Sequence, residues 1–459
     1  MYLFRRNPPF FSGKGFTFAC ELNHNYLFFS NPMPLKQRIK IAFAGLILAG
    51  TSAFGQTALT LQKAEKLFEQ EDYYNALPLF EELIFRGEDI ANSNLKAGMC
   101  NLFLSKPIDA LKQIKIARNP QNESQPYFQF WLGRAYHLNM KIDSALMCYR
   151  RYLVISSPQD EYRKGVENLI AQVHRSEAHF KGEKSPYVVE NLGTDVNSAY
   201  TEHSPLVSPD GNMLVFTSRR PLQAGEMPEA DGEYMSKLYY SYRSDKGNWT
   251  RAQPLLPVIS AKKQFASVQW MSNEKLLIHT ASDGGQLWVA DREGNEFHDP
   301  VRYDNGIPEH YFRPDGNFNK AMDKVVFVNN TVFDGTYDMY MVEKRTEAKW
   351  NKPWKLPKFL NSDDDEIAPY WLEDGKTIIF SSRALSGLGG YDLFKTTYDA
   401  ETRTFTEPVN LEYPINTPGD ETHYCEIQKG KKMFISSARA GSMGGTDIFM
   451  IIPAEEKGF

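Results

Sequence analysis

The sequence predicts a multidomain chain in which an all-α repeat solenoid precedes an all-β five-bladed propeller. Three observations point there. Small residues recur at helix-pair spacing: Ala76, Ala110 and Ala145 lie 34 and 35 residues apart, and Gly98 and Gly133 lie 35 apart. A turn-and-strand phrase recurs through the second half, with Ser208 to Gly211 before Met213–Ser218 and Glu373 to Gly375 before Thr377–Ser382. A diverged copy, Lys429 and Gly430, precedes Met433–Ser437. Finally, a strand-like segment at Ser185–Leu192 precedes the first phrase without a partner close in sequence. Units that bury their apolar faces only against their neighbours produce such periods.

Size and charge narrow the field. A chain of 459 residues suits two or three domains. The 52 basic and 57 acidic residues leave a net charge of -5, which gives no support to nucleic-acid binding. Residues 1–32 are Phe-rich and aperiodic and read as an upstream extension, with Met33 as the start. Residues 33–55 then have the three parts of a signal peptide: basic Lys36–Lys40, an apolar core over Ile41–Gly50, and a small-residue exit at Ala53 and Gly55. The expectation is export to the periplasm. No Cys follows the apolar core, so lipidation of a new N-terminal Cys is not expected.

Residues 57–180 form the helical unit, broken by Asn, Pro and Ser clusters. Gly98, Ala110, Gly133 and Ala145 are expected where paired helices cross, with Leu67, Phe80, Tyr136 and Tyr149 filling the grooves around them. Cys100 and Cys148 read as buried thiols, with a disulfide as the alternative in an oxidising compartment. Residues 181–186 read as a short linker and 187–455 as the propeller.

In the propeller, Phe216, His279, Phe327, Phe380 and Ile435 align on the inner apolar strands, at intervals of 63, 48, 53 and 55 residues, and a second strand follows each. A Pro-bearing outer element recurs after the first four, around Trp249–Pro254, Phe297–Val301, Trp350–Trp354 and Phe405–Leu411. The fifth example lies before the first blade. Tyr187–Val189 is therefore expected to supply the outer strand of the last blade and close the ring. Blade two departs most, with Asn273 and Glu274 at the turn and Gln286 where the others have Asp338, Asp392 and Asp447.

The helical unit resembles tetratricopeptide repeats: Leu132, Gly133 and Tyr136 match the motif Trp-x-x-Leu-Gly-x-x-Tyr, with Gln129 in the Trp position and Asn101 where the family prefers Tyr. The resemblance implies three repeats, a closing helix over Asp160–His179 and a concave face for a peptide or protein. The second half resembles WD-repeat-like propellers of periplasmic proteins, best at Ala368–Arg383 with Gly389–Phe394. The pairing resembles envelope proteins of the Bacteroidetes, including type IX secretion and gliding components, many of which continue into an outer-membrane-protein-A-like domain. No such domain is expected in this chain, whose propeller pattern runs to residue 455. The resemblance implies a scaffold in an envelope or outer-membrane protein complex, with attachment through a partner and only indirect peptidoglycan association.

The candidate binding residues lie just before the inner strands. Glu202, Glu366 and Glu421 each stand fourteen residues ahead of Phe216, Phe380 and Ile435, and Glu309 occupies the same phrase in blade three. With His203, His310 and His423 they are expected at a channel rim able to take a basic segment or a metal ion. Two other uses compete. The Glu side chains can accept hydrogen bonds from neighbouring backbone, or can form a pair for glycoside chemistry across the channel, giving a carbohydrate-active or carbohydrate-binding alternative. Asp210, Gly211, Asp374 and Gly375 read as turn residues. Asp392 and Asp447 are expected to cap their own Gly-rich turns rather than to bind calcium. No nucleophile elbow and no phosphate-cradling loop are present. The expectation is no catalytic residue, no cofactor and no metal.

Overall fold

The computed structural model describes residues 57–180, 185–255, 265–280, 286–304, 306, 315–330, 336–346, 349–427 and 430–457. The expectations for residues 1–55, for the linker core 181–184 and for Glu309 and His310 lie outside them.

The helical unit has three helix pairs and a closing helix. These are α1 (57–69) with α2 (Tyr73–Arg86), α3 (Ile90–Phe103) with α4 (Pro107–Ile116), and α6 (Pro126–Leu138) with α7 (Ile142–Ile155), followed by α8 (Arg163–Phe180). A single turn, α5 (Pro120–Glu123), joins the second and third pairs. Every hairpin turns alike. One residue takes a left-handed φ, Glu71 at 62°, Ser105 at 56° and Met140 at 58°. The next residue donates its N–H back into the first helix: Asp72 to Leu67 at 2.9 Å, Lys106 to Asn101 at 2.7 Å and Lys141 to Tyr136 at 2.9 Å. These bonds satisfy carbonyls that the helix end would leave open.

The small residues sit where the spacing predicts. A Cβ on Gly98 would overlap Ile114 in α4, and one on Gly133 would come within 2.6 Å of the Tyr149 ring in α7. Ala76, Ala110 and Ala145 are fully buried. Cys100 and Cys148 are buried free thiols, which burial pushes up to about 12 and about 11.

Five antiparallel sheets follow. Blade one holds β2 (Glu202–Val207), β3 (Met213–Ser218), β4 (Lys237–Tyr242) and β5 (Gln253–Pro254). Blade two holds β6 (Phe265–Ser272), β7 (Lys275–Thr280), β8 (Gln286–Glu293), β9 (Glu296–Phe297) and β10 (Val301–Arg302). Blade three holds β11 (Gly316–Phe318), β12 (Lys324–Asn330), β13 (Tyr337–Thr346), β14 (Lys349–Trp350) and β15 (Trp354–Lys355). Blade four holds β16 (Glu366–Trp371), β17 (Thr377–Ser382), β18 (Asp392–Asp399), β19 (Thr404–Phe405) and β20 (Val409–Asn410). In blades two to four the outer edge is two short pieces flanking the proline, which has no N–H to continue the ladder. Blade two is a full blade despite its divergent turn.

Blade five holds β21 (Glu421–Ile427), β22 (Lys432–Ser437) and β23 (Asp447–Pro453), and its outer strand is β1 (Tyr187–Asn191). Tyr187 lies opposite Pro453 and Asn191 opposite Phe449, so the predicted closing strand is in place. Hydrogen bonds cross every seam of the ring. Asp210 N reaches Asn273 Oδ1 at 3.0 Å, Phe318 N reaches Gln269 Oε1 at 2.7 Å, and Trp371 N reaches Asn317 Oδ1 at 2.8 Å. Glu421 N and Glu202 N reach the Tyr391 and Thr446 carbonyls at 2.7 Å each. Phe216, Phe327, Phe380 and Ile435 are fully buried between sheets, each contributing about 2 kcal/mol or more by leaving water.

The two units touch. In α8, Gln172 Nε2 donates to the Gly389 carbonyl at 2.7 Å and Arg175 Nε to the Gly387 carbonyl at 2.8 Å, both on the β17–β18 loop. Tyr74 of α2 lies against Gly232 in the β3–β4 loop, where a Cβ would overlap its ring. Among the described residues no helix is long and apolar enough to cross a membrane.

Candidate functional site

A repeated polar latch occupies the place where the rim carboxylates are predicted. Glu202, Glu366 and Glu421 open the innermost strands of blades one, four and five, and each is 0% exposed. Each accepts from a hydroxyl residue four positions earlier. Glu202 takes Ser198 N and Oγ at 2.8 and 2.7 Å, Glu366 takes Ser362 N at 2.8 Å and Ser362 Oγ at 2.5 Å, and Glu421 takes Thr417 N and Oγ1 at 2.7 Å each. Each also accepts, at 2.7 Å, from the serine that ends the neighbouring strand sixteen residues later: Ser218, Ser382 and Ser437. These carboxylates hold the turn into each blade, and none opens onto a channel.

Arginine completes two of the three latches. Arg220 Nη2 reaches Glu202 Oε1 at 2.9 Å and Arg439 Nη2 reaches Glu421 Oε1 at 3.2 Å. Burial raises the carboxyls of Glu202 and Glu421, and the arginines pull against that rise. Among the described residues Glu366 has no such cation, and burial pushes it up to about 7.

Sequence reasoning misses the asparagine that precedes each latch. Asn197, Asn361 and Asn416 each exchange two hydrogen bonds with the third strand of the preceding blade. Asn197 pairs with Ile448 at 3.0 and 2.9 Å, Asn361 with Met339 at 3.0 and 2.8 Å, and Asn416 with Leu393 at 2.9 and 2.8 Å. A primary amide has the donor and acceptor of a peptide group, so it ties one blade to the next as a strand would. The signal that could have found them is an Asn followed by Ser or Thr and, four residues after that, by Glu.

The Asp residues of the Gly-rich turns bond to their own backbone. Asp392 Oδ2 accepts from Gly389 N at 2.9 Å, and Asp447 accepts from Met443 N and Gly444 N at 2.8 and 3.2 Å. Asp374 Oδ1 accepts from Lys376 N and Thr377 N at 2.8 Å each, and Asp210 Oδ1 from Asn212 N at 3.0 Å. Gly211 and Gly375 take φ of 76° and 67°, the left-handed geometry these turns require. Among the described residues no cluster of His, Cys, Asp and Glu is arranged to hold a metal ion.

What converges near the axis is smaller than the predicted rim. His203 and His423, from the innermost strands of blades one and five, have ring centroids 5.4 Å apart. Asp315 of blade three stands 3.8 Å from His423 Nε2, and its other oxygen accepts from Ala368 N of blade four at 3.3 Å. A bulge creates this approach. Ser204, Ala368 and His423 take φ of 54°, 51° and 51° where the register of the innermost strand shifts. Burial, with His423 alongside, holds His203 well below the ordinary imidazole range. Burial would raise Asp315, but the His423 contact and the nearby imidazoles outweigh it, and its carboxyl is lowered. The cluster is polar and brings together residues of four blades.

No protein-family description matches the sequence, and no curated protein does. Solved structures do resemble it. BT0996, solved as an RGII complex, shares 8% identity over 60% of this chain and 94% of its own, with a TM-score of 0.38. The β-1,2-mannobiose phosphorylase of Listeria innocua, in complex with β-1,2-mannobiose, shares 9% over 61% and 94%, with a TM-score of 0.35. Bacillus subtilis levansucrase shares 10% over 56% and 84%, with a TM-score of 0.34. At these values the likenesses favour no particular activity. The chain is a helical-repeat unit of tetratricopeptide-like form followed by a five-bladed propeller, an architecture able to bind a protein or a ligand.

Proposed function

We propose that this chain is a binding scaffold, exported and working in a cell-envelope protein complex of the secretion or gliding kind. One observation carries the scaffold reading: Glu202, Glu366 and Glu421, the carboxylates expected at the channel rim, are enclosed in the blades as hydrogen-bond acceptors. A carboxylate that reacts with a substrate must reach it, and these do not. The contacts of α8 and α2 with the propeller support the same reading, because they join two broad surfaces into one. Export and the envelope setting rest on the sequence of residues 33–55 and on the pairing of the two repeat types.

Carbohydrate recognition in the propeller is the second reading. In this chain it falls to Asp315, His203 and His423, the polar side chains that blades one, three and five bring together.

Crosslinking the full chain in the cells that produce it, followed by capture, separates the two readings. The expected result is a stoichiometric protein partner and no turnover of oligosaccharides. Cleavage or phosphorolysis of an oligosaccharide by the purified chain, lost in Asp315→Asn, would overturn the scaffold reading.

A further inference from the structure

The second helices of the three pairs pack alike and differ on their outer faces. Ala76, Ala110 and Ala145 face the core, with Phe80, Ile114 and Tyr149 one turn on. Positions two, five, six and nine after each alanine therefore form a stripe on the opposite side, at the i, i+3, i+4, i+7 spacing of one helix face. In α2 that stripe is Pro78, Glu81, Glu82 and Phe85. In α4 it is Lys112, Lys115 and Ile116, and in α7 it is Met147, Arg150, Arg151 and Val154. Equivalent positions thus turn from acidic to basic after the first pair. Packing does not impose the change, since these positions face solvent.

The two basic stripes combine charge with apolar bulk. Ile116 is 53% exposed, Met147 64% and Val154 74%. Among the described residues none of Lys112, Lys115, Arg150 and Arg151 forms an ion pair, whereas Arg86 and Arg118 nearby pair with Glu82 and Glu123. The carboxylates of α4 and α7 are Asp109 and Asp143, both in the first turn, at the far end from Ile116 and Val154. Leu111 and Ile114 share one apolar cluster with Ala145 and Tyr149, so the two stripes lie side by side. The propeller takes the acidic end of the gradient. Tyr74, one turn before Pro78, lies against Gly232.

We propose that the outer face of α4 and α7 docks on a membrane surface that contains anionic phospholipids. Lys112, Lys115, Arg150 and Arg151 lie at the level of the headgroup phosphates, and Ile116, Met147 and Val154 enter the boundary of the acyl chains. Long cationic stems can lie along apolar surface while their heads stay in the polar layer. Charge complementarity selects an anionic partner, and the residue types favour lipid over protein. Protein interfaces are depleted in Lys and centre on aromatic anchors, whereas these two stripes carry two lysines and no aromatic residue. The attachment is peripheral and needs no crossing helix. This lipid contact is separate from the protein partner of the scaffold reading and does not rest on it.

Sedimentation of the full chain with vesicles tests the surface, comparing phosphatidylglycerol in phosphatidylcholine with phosphatidylcholine alone. The expected result is binding at least about tenfold tighter to the anionic vesicles, weakening as salt is raised. The combined Lys112→Glu, Lys115→Glu, Arg150→Glu and Arg151→Glu variant should lose at least about tenfold with unchanged helical circular dichroism, because all four side chains are exposed. Met147→Ser with Val154→Ser should also lose about tenfold, a loss that charge attraction alone does not give. Equal binding to both kinds of vesicle, or anionic binding undiminished in the four-charge variant, would sink the lipid contact. Absence of vesicle binding, with a crosslinked protein partner lost in that same variant, would mean that the face takes an acidic protein. The lipid contact then fails while the scaffold reading stands.

Discussion

The helical unit and the propeller both repeat, but opposite chemistry holds their repeats in place. Between helices the decisive contacts are absences: Gly98 and Gly133 leave room for Ile114 and Tyr149, and the crossing is apolar. Between blades the decisive contacts are buried polar groups: Glu202 and Glu421 with their hydroxyls and arginines, and Asn197, Asn361 and Asn416 on neighbouring backbone. Apolar crossings tolerate a change of pH and punish a change of volume. Buried carboxylates do the reverse, because proton binding alters their partners while their shape stays the same.

The sharpest way to break this contrast is Glu421→Ala. It leaves Arg439 buried beside Ser437 and Thr417 without a counter-charge, and the expected loss is about 3–5 kcal/mol in urea unfolding. A loss below about 1 kcal/mol would mean that the latch is dispensable. The next effect is a pH dependence centred on Glu366. Its carboxyl is raised from 4.5 to about 7, so the folded form binds its proton more tightly than the unfolded chain does. The stability this provides is complete below pH 4.5 and lost as pH rises through about 7, a change of about 3 kcal/mol. Glu366→Gln should therefore gain on the parent between pH 4.5 and 8, while Gly133→Ala should show the same deficit at both. Identical pH profiles for parent and Glu366→Gln would place a cation beside that carboxylate. Gly133→Ala is the smallest of the three effects. The added methyl pushes on the Tyr149 ring at 2.6 Å, costing about 1–3 kcal/mol against about 1 kcal/mol of helix propensity gained. Tyr149→Leu in the same chain should return part of the loss, and its failure to do so would show that the crossing relaxes elsewhere.

The contrast also accounts for what is legible in advance. Spacing alone locates Gly98 and Gly133, because a helix crossing admits few residue types at its closest point. Tyr187–Val189 is legible as the closing strand because the outer element recurs four times in order and once out of order. The Asp caps follow from local turn chemistry within a few residues. The latches resist such reading. Glu202 and Ser218 are sixteen residues apart and meet only once β2 and β3 are in register, and alternation along a strand does not say which way its first residue points. The left-handed Ser204, Ala368 and His423 are hidden for another reason: a bulge shifts the register without any glycine to mark it. Hence residues adjacent in the chain divide, with Glu202 turned into the blade and His203 toward His423 and Asp315.

The closing strand also sets the order of assembly and the path of load. β1 follows the helical unit in sequence and pairs with β23, which the ribosome makes long after it, so the helices can be complete long before the ring has its final pair of strands. Any pull transmitted through the helical unit arrives first at those five residue pairs. Arg175 and Gln172 on blade four, with Tyr74 on blade one, grip the ring on either side of blade five, and so divert part of that tension around the one joint where the circle was sealed.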